Sequence, residues 1–299
     1  MRLQMWFWKV SWGKWDAIWT YSPITTAAIS ADSRPVLYHC VDNIAAQPLM
    51  PAEAIDRYET ELVHTADLIF STAPDLTDRL RRMGADNVIE HTNVVDFEHF
   101  GKEYRMRDDS ESSRRPSPRT IGFVGALSRY KVDLQLLRRV AEKYPDADVV
   151  LIGQIGEGQP GETLAELKDL TNVKLLGPKP YSELPGIIST FDVALLPVPI
   201  NPYTRSMFPM KFFEYLACGI PVVSTRIPAL EKFGDSAFIA DTDEQFVEYV
   251  KVASTVSRNW RDNARTLASK YTYRERTAEM CCMLDRLLAS KSGSVDGTL

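Results

Sequence analysis

Short apolar runs alternate along this chain with amphipathic stretches of helical period. That alternation constrains the fold most, because it is the pattern of βα units building a parallel sheet. In the first part, strands are predicted at 16–21, 35–41, 67–72 and 87–92, with helical periodicity over 52–66 and 74–83. A run of charged residues, serines and prolines from 104 to 120 interrupts the pattern and reads as a linker. It divides a first domain, 1–105, from a second, 120–272, through a linker at 106–119. Beyond it the alternation is cleaner. Strands are predicted at 120–127, 148–153, 172–177, 192–198, 220–225 and 236–240, and helices at 133–143, 162–170, 181–190, 210–218, 243–254, 258–269 and 274–289, with a frayed tail from 290. Six parallel strands with flanking helices make a Rossmann-type domain.

Composition narrows the function classes. With 35 basic against 40 acidic side chains the net charge is −5, which argues against a chain that coats nucleic acid. Cys40, Cys218, Cys281 and Cys282 are too few and too scattered for a disulfide framework or a zinc site and point to a reducing compartment. All but one of the six tryptophans stand before Thr20, among Arg2, Lys9 and Lys14. Polar residues interrupt that stretch, so it does not read as a signal peptide. It suits either a membrane interface or an aromatic core contact.

In an open parallel sheet, ligands bind beyond the carboxyl ends of the strands, so the loops that follow strands carry the candidate chemistry. The most informative is Ser206 to Thr225. Pro209 opens a short helix, Gly219 and Pro221 close it, Lys211 lies in its first turn, and Glu214 projects from the same side one turn on. A helix start carries unpaired N–H groups and partial positive charge, so with Lys211 it suits a diphosphate, and Glu214 suits the two hydroxyls of a ribose. The alternative is a surface ion pair. A second segment, GFVGALSRYK, puts Gly122, Gly125, Arg129 and Lys131 after the first strand of that domain. Small residues there would let a phosphate approach the backbone.

Together these segments resemble one family. GFVGALSRYK, VVLIG, NVKLLGPKPYSELP, FDVALLPVP and FPMKFFEYLACGIPVVST follow in the order and spacing of the donor half of GT-B-fold glycosyltransferases of family 4, group 1. The teichuronic-acid and exopolysaccharide members are the most similar. Upstream, ADLIFSTAPDL and TNVVD resemble the end of the family's first domain. The resemblance implies an α/β fold of two Rossmann-like domains, with helix 273–289 packing back on the first. It also implies an incomplete N-terminal domain, since relatives open with about three more βα units and this chain starts near their fourth strand. Carried over by position, Lys211 contacts the donor diphosphate, Glu214 holds the ribose, and Gly125, Arg129 and Lys131 line the phosphate side. Asp42, in YHCVDN, is the candidate base or acceptor-orienting carboxylate, with an Asx turn or helix cap as the alternative. His39 defaults to a structural role. Ser206 stands where many members carry the first glutamate of Glu-x7-Glu, and Asn201, Tyr203 and Thr204 are candidate replacements.

DxD pairs occur at Asp146 with Asp148 and at Asp241 with Asp243. The first precedes its strand and the second reads as a helix cap, so no metal or other cofactor is expected. The expected partners are a nucleoside-diphosphate sugar and a glycan or lipid-linked acceptor. The expected location is the cytoplasm, at the inner face of the plasma membrane. A degenerate sugar-nucleotide-binding scaffold and a GT-B epimerase are the rival readings.

Overall fold

The computed structural model describes residues 16–29, 34–104 and 117–293. The tryptophan-rich segment before Asp16, most of the expected linker and the end of the chain lie outside the described residues. Two compact units form, one from residues 1–92 and 274–299, the other from 93–273.

The first unit is a parallel sheet of β1 (Ile18–Thr20), β2 (Val36–Cys40), β3 (Leu68–Ser71) and β4 (Val88–Glu90), in that order. A short α1 (Thr26–Ile29) follows β1, while α2 (Ala52–Thr65) and α3 (Pro74–Arg82) make the crossovers to β3 and β4. Strand alternation gives the sheet two distinct faces. Leu37, Leu68 and Phe70 meet Met280, Met283, Leu284 and Leu287 of the C-terminal helix, Tyr273–Gly293. That helix runs past the predicted fraying point at 290. On the opposite face Tyr38 and Cys40 meet a buried charge network: Glu59 of α2 accepts from the Tyr38 hydroxyl at 2.7 Å and from Arg79 Nη1 at 2.6 Å. His39 sits among the rings of Trp19, Tyr21 and Phe70. Burial, reinforced by His91 and Arg276, pushes its pKa down to about 4, which suits a neutral packing residue.

The second unit begins at Asn93, earlier than the sequence-based linker at 106–119. Long-range contacts tie the intervening residues to it. Asn93 Nδ2 donates to the Phe208 carbonyl at 2.8 Å, Val95 pairs with Thr272, and the Tyr104 hydroxyl donates to Asp262 at 2.7 Å. Asp96 caps α4 (Phe97–Gly101) by accepting from His99 N. Six strands then follow: β5 (Thr120–Val124), β6 (Asp148–Ile152), β7 (Val173–Gly177), β8 (Val193–Leu196), β9 (Val222–Thr225) and β10 (Phe238–Ala240). They lie parallel in the order β10-β9-β8-β5-β6-β7. Counted within the unit this is the doubly wound order 3-2-1-4-5-6, with the winding reversing between β5 and β8.

Around this sheet run α5 (Leu134–Lys143), α6 (Leu184–Ile188), α7 (Pro202–Arg205), α8 (Lys211–Ala217), α9 (Asp243–Ser254) and α10 (Arg258–Ala268). Ile121, Val149, Val193 and Val223 bury one face against Leu137 and Val140 of α5 and Phe246 and Val250 of α9. Two predicted helices are reduced. The 162–170 stretch forms only a 3-10 turn, Ala165–Leu167: Leu164 and Leu167 are buried in the core with Leu170 packed against it, while Glu162 and Glu166 are drawn to Arg129. In the 181–190 stretch, Pro185 cannot donate within a continuous helix, and the segment divides into a turn, Tyr181–Glu183, and α6. Among the described residues no helix is long and apolar enough to cross a membrane.

Candidate functional site

Hydrogen bonds gather the loops after β5, β8 and β9, together with α8, at the carboxyl edge of the six-stranded sheet, around the reversal between β5 and β8. The loop after β8 is held to the loop after β5 by Asn201 Nδ2, which donates to the Tyr130 carbonyl at 2.8 Å, and by Asp133 N, which donates to the Pro197 carbonyl at 2.7 Å. On the other side the Thr225 hydroxyl, at the end of β9, donates to the Val198 carbonyl at 2.7 Å. The buried Tyr215 hydroxyl of α8 accepts from Val124 N, the last residue of β5, at 2.8 Å. Tyr215 therefore fixes the helix that carries Lys211 and Glu214 against the switch point. Sequence reading missed Tyr215 and Thr225, since nothing in their spacing marks a buried hydroxyl that ties one strand end to another element.

Lys211 and Glu214 form the predicted i, i+3 pair at 2.7 Å, but not as a surface ion pair: Glu214 is 3% exposed. Burial raises the pKa of Glu214, opposed by the Lys211 ammonium, with His99 adding to that opposition. One oxygen, Oε2, accepts from Lys211; among the described residues no other donor reaches this carboxylate. Its surroundings include His99, whose ring stacks on Tyr181 at 4.7 Å, and Tyr273. Burial, then the Glu214 charge, raises the Tyr181 hydroxyl.

The loop after β5 behaves less simply. Lys131 lies 5.3 Å from the Tyr130 ring and 5.8 Å from the Tyr203 ring, and pairs with Glu157 at 3.1 Å. Arg129 turns the other way and is held by Glu162 at 2.9 Å and by both oxygens of Glu166. Neither glycine of GFVG opens the backbone in the way expected. A Cβ at Gly122 would stand 2.0 Å from the Phe191 ring, so this position is small because a core aromatic fills it. A Cβ at Gly125 would meet its neighbour Phe123 at 2.9 Å, and the Gly125 carbonyl is itself approached by Gly153, where a Cβ would come within 1.8 Å.

After β8, Asn201 and Thr204 form a capping box on α7: the Asn201 side chain accepts from Thr204 N, and the Thr204 hydroxyl accepts from Asn201 N and donates to the Pro199 carbonyl. With Thr204 fully buried and Tyr203 5% exposed, these side chains shape the loop instead of lining an open surface. Ser206, in the place of the absent glutamate, is buried at the end of α7.

In the first unit, Asp42 follows β2 at the carboxyl edge of its sheet and is half-buried. Cys40, beside it, is buried, and burial followed by the Glu59 charge raises its thiol, so it is no nucleophile. Three of the four DxD aspartates face cations of the protein. Asp148 lies 3.8 Å from Lys174, Asp241 pairs with Arg226, and Asp243 with Arg139. The cap of α9 is Thr242, not an aspartate as the sequence suggested. Among the described residues no group of three or more His, Cys, Asp or Glu could hold a metal ion.

Comparison with known proteins converges on the same region. Residues 118–254 match the family model described as Glycosyl transferases group 1. The chain is 28% identical over 222 residues to a teichuronic acid biosynthesis glycosyltransferase, TuaH, of Bacillus subtilis, covering 70% of this chain and 54% of the relative. It is 29% identical over 251 residues to a D-inositol 3-phosphate glycosyltransferase of Corynebacterium jeikeium, covering 76% and 55%. The chain thus spans about half the length of these relatives. In structure it resembles Anabaena HepE, solved with UDP, with a TM-score of 0.71, 17% identity, and coverage of 91% of this chain and 79% of that one. It also resembles sucrose-phosphate synthase of Thermosynechococcus elongatus, with a TM-score of 0.74, 16% identity, and coverage of 97% and 77%. These likenesses establish the GT-B fold.

Proposed function

We propose that this chain, which carries a group 1 glycosyltransferase domain over residues 118–254, transfers a sugar from a nucleoside-diphosphate donor to a hydroxyl of a surface-polysaccharide or lipid-linked glycan. The observation that carries the reading is the Lys211–Glu214 pair, anchored by Tyr215 at the switch point of a doubly wound sheet. A buried carboxylate with one donor among the described residues can accept two ribose hydroxyls at Oε1 and at the second lone pair of Oε2. The Lys211 ammonium beside it offers its remaining protons to the diphosphate. As the glycosidic bond to the leaving diphosphate breaks, negative charge grows there and Lys211 stabilises it, in a reading that calls for no metal.

Lys131 takes the phosphate side of the donor, Tyr203 and Thr204 hold the loop after β8 that borders it, and Arg129 buttresses the loop after β5 through Glu162 and Glu166. Asp42 takes the acceptor proton or orients the acceptor hydroxyl. A relative named for GDP-mannose in Mycobacterium tuberculosis and neighbours solved with UDP-glucose make UDP and GDP sugars the donors to try first. As part of the same proposal, such acceptors would put the protein in the cytoplasm, at the inner face of the plasma membrane.

The test is release of nucleoside diphosphate from UDP- and GDP-sugars, with and without a polyprenyl-phosphate-linked glycan. Release that needs Lys211 and Glu214 and rises with acceptor supports transfer. Nucleotide binding without turnover supports a scaffold, and an isomerised donor without acceptor supports an epimerase.

A further inference from the structure

The second unit has another concave surface, on the far side of β9 and β8 from the switch point. It is a groove of about 370 Å³ along the outer edge of β10, lined by Arg226, Glu231, Asp235, Phe238, Tyr249 and Trp260 among others. β10 lies three strand spacings from β5, roughly 14 Å of sheet at about 4.8 Å per strand. We propose that this groove is a second carbohydrate site that holds one pyranose unit of a glycan, separate from the donor site.

The chemistry of the lining selects the ligand by elimination and by fit. Two carboxylates, Glu231 and Asp235, face one guanidinium, Arg226, which Asp241 already neutralises, so the groove does not attract a phosphate or a nucleic acid. Among the described residues no set of side chains there could hold a metal ion. An added peptide strand would find only the three residues of β10 to pair with, too short an edge to template a strand.

What remains is a lining that combines aromatic rings with hydrogen-bonding groups. Phe238 and Trp260 stack at 5.8 Å and 28°, and Tyr249 meets Phe238 at 5.8 Å and 60°. The C–H bonds on one face of a pyranose carry partial positive charge and pack on the negative face of an aromatic ring. Glu231 and Asp235 accept from the hydroxyls at the ring's rim, and Arg226 donates to them. A transferase with such a groove would keep a grip on a growing glycan away from the reacting end, although the inference itself needs only the groove.

Saturation-transfer difference NMR tests it, with the whole chain, the methyl glycosides of glucose, mannose and galactose, and saturating UDP to fill the donor site. Transfer to the ring protons of at least one sugar is expected, with a Kd on the order of 1 mM, typical for a ligand of that size. Trp260→Ala should cut the transfer at least tenfold, as should the exposed double substitution Glu231→Gln with Asp235→Asn, which tests the site even if the tryptophan variant unfolds. Absence of transfer to all three sugars, transfer unchanged in the double variant, or transfer abolished by UDP in the wild type would each overturn the proposal. The last result would assign the sugar to the donor site.

Discussion

Glu59 in the first unit and Glu214 in the second are both buried beside a cation, and the two are completed differently. Glu59 is 1% exposed and accepts from Tyr38, from Arg79 and, at 3.6 Å, from the Cys40 thiol, with Asp56 sharing the guanidinium. Glu214 is 3% exposed and, among the described residues, accepts a hydrogen bond from Lys211 alone. Removing a carboxylate from water is costly in both places; three side chains donate to Glu59 to offset that cost, and the Lys211 ammonium does so at Glu214. A buried acid whose lone pairs are filled internally organises a fold. One left partly unfilled at the carboxyl edge of a doubly wound sheet has lone pairs to offer a ligand, which is the role proposed for Glu214.

The contrast can be broken by substitution. Stability should respond most at the completed site: Arg79→Met leaves Glu59 buried without its counter-ion and should cost about 3–5 kcal/mol in urea unfolding. A loss below about 1 kcal/mol would mean that the network is idle. At the incomplete site the large effect should appear in binding. Lys211→Ala or Glu214→Ala should weaken the cognate nucleoside diphosphate roughly 10- to 100-fold by calorimetric titration, the worth of one or two charge-assisted hydrogen bonds. Arg79→Met, in contrast, should leave the affinity of the remaining folded protein unchanged.

A smaller effect sharpens the comparison in the opposite direction. Glu214→Gln removes a desolvated charge and should leave the ligand-free protein as stable as the wild type or more so, by up to about 1 kcal/mol and a few degrees in Tm. The smallest effect is the pH dependence. Because burial raises the pKa of Glu214, its carboxylate takes up a proton at higher pH than an ordinary glutamate. Nucleotide affinity should therefore fall as pH drops through that raised range. The same raised value favours the ligand-free fold at low pH, and that contribution is lost as pH rises through it. The difference between wild type and Glu214→Gln isolates both slopes, and parallel curves for the two proteins would remove Glu214 from the site.

The legible part of this chain was local. The core strands and the ends of α8, α9 and α10 follow from apolar runs and punctuation, and the segment carrying Lys211 and Glu214 stood out because start and stop signals bracket it. Long-range partnership was hidden. Gly122 looked like a phosphate-loop glycine until Phe191, far along the chain, was seen to occupy its face. Thr204 looked like a donor contact, yet its hydroxyl closes a capping box. Arg129 looked like a phosphate ligand, but two glutamates from a predicted helix reach it and in doing so leave that helix as a single turn. The second unit begins at Asn93 for the same reason, since a run of charge marks a linker in sequence while Asn93, Val95 and Tyr104 are claimed by residues more than a hundred positions on.

The most direct test of the central claim is a pair of calorimetric melting curves, with and without saturating UDP or GDP, for wild type and Glu214→Gln. The account predicts that one nucleotide raises the wild-type midpoint by several degrees and raises the variant, which melts at or above the wild-type value without ligand, by much less. A variant that melts well below the wild type without ligand yet is still raised as far by nucleotide would contradict it, making Glu214 a second Glu59.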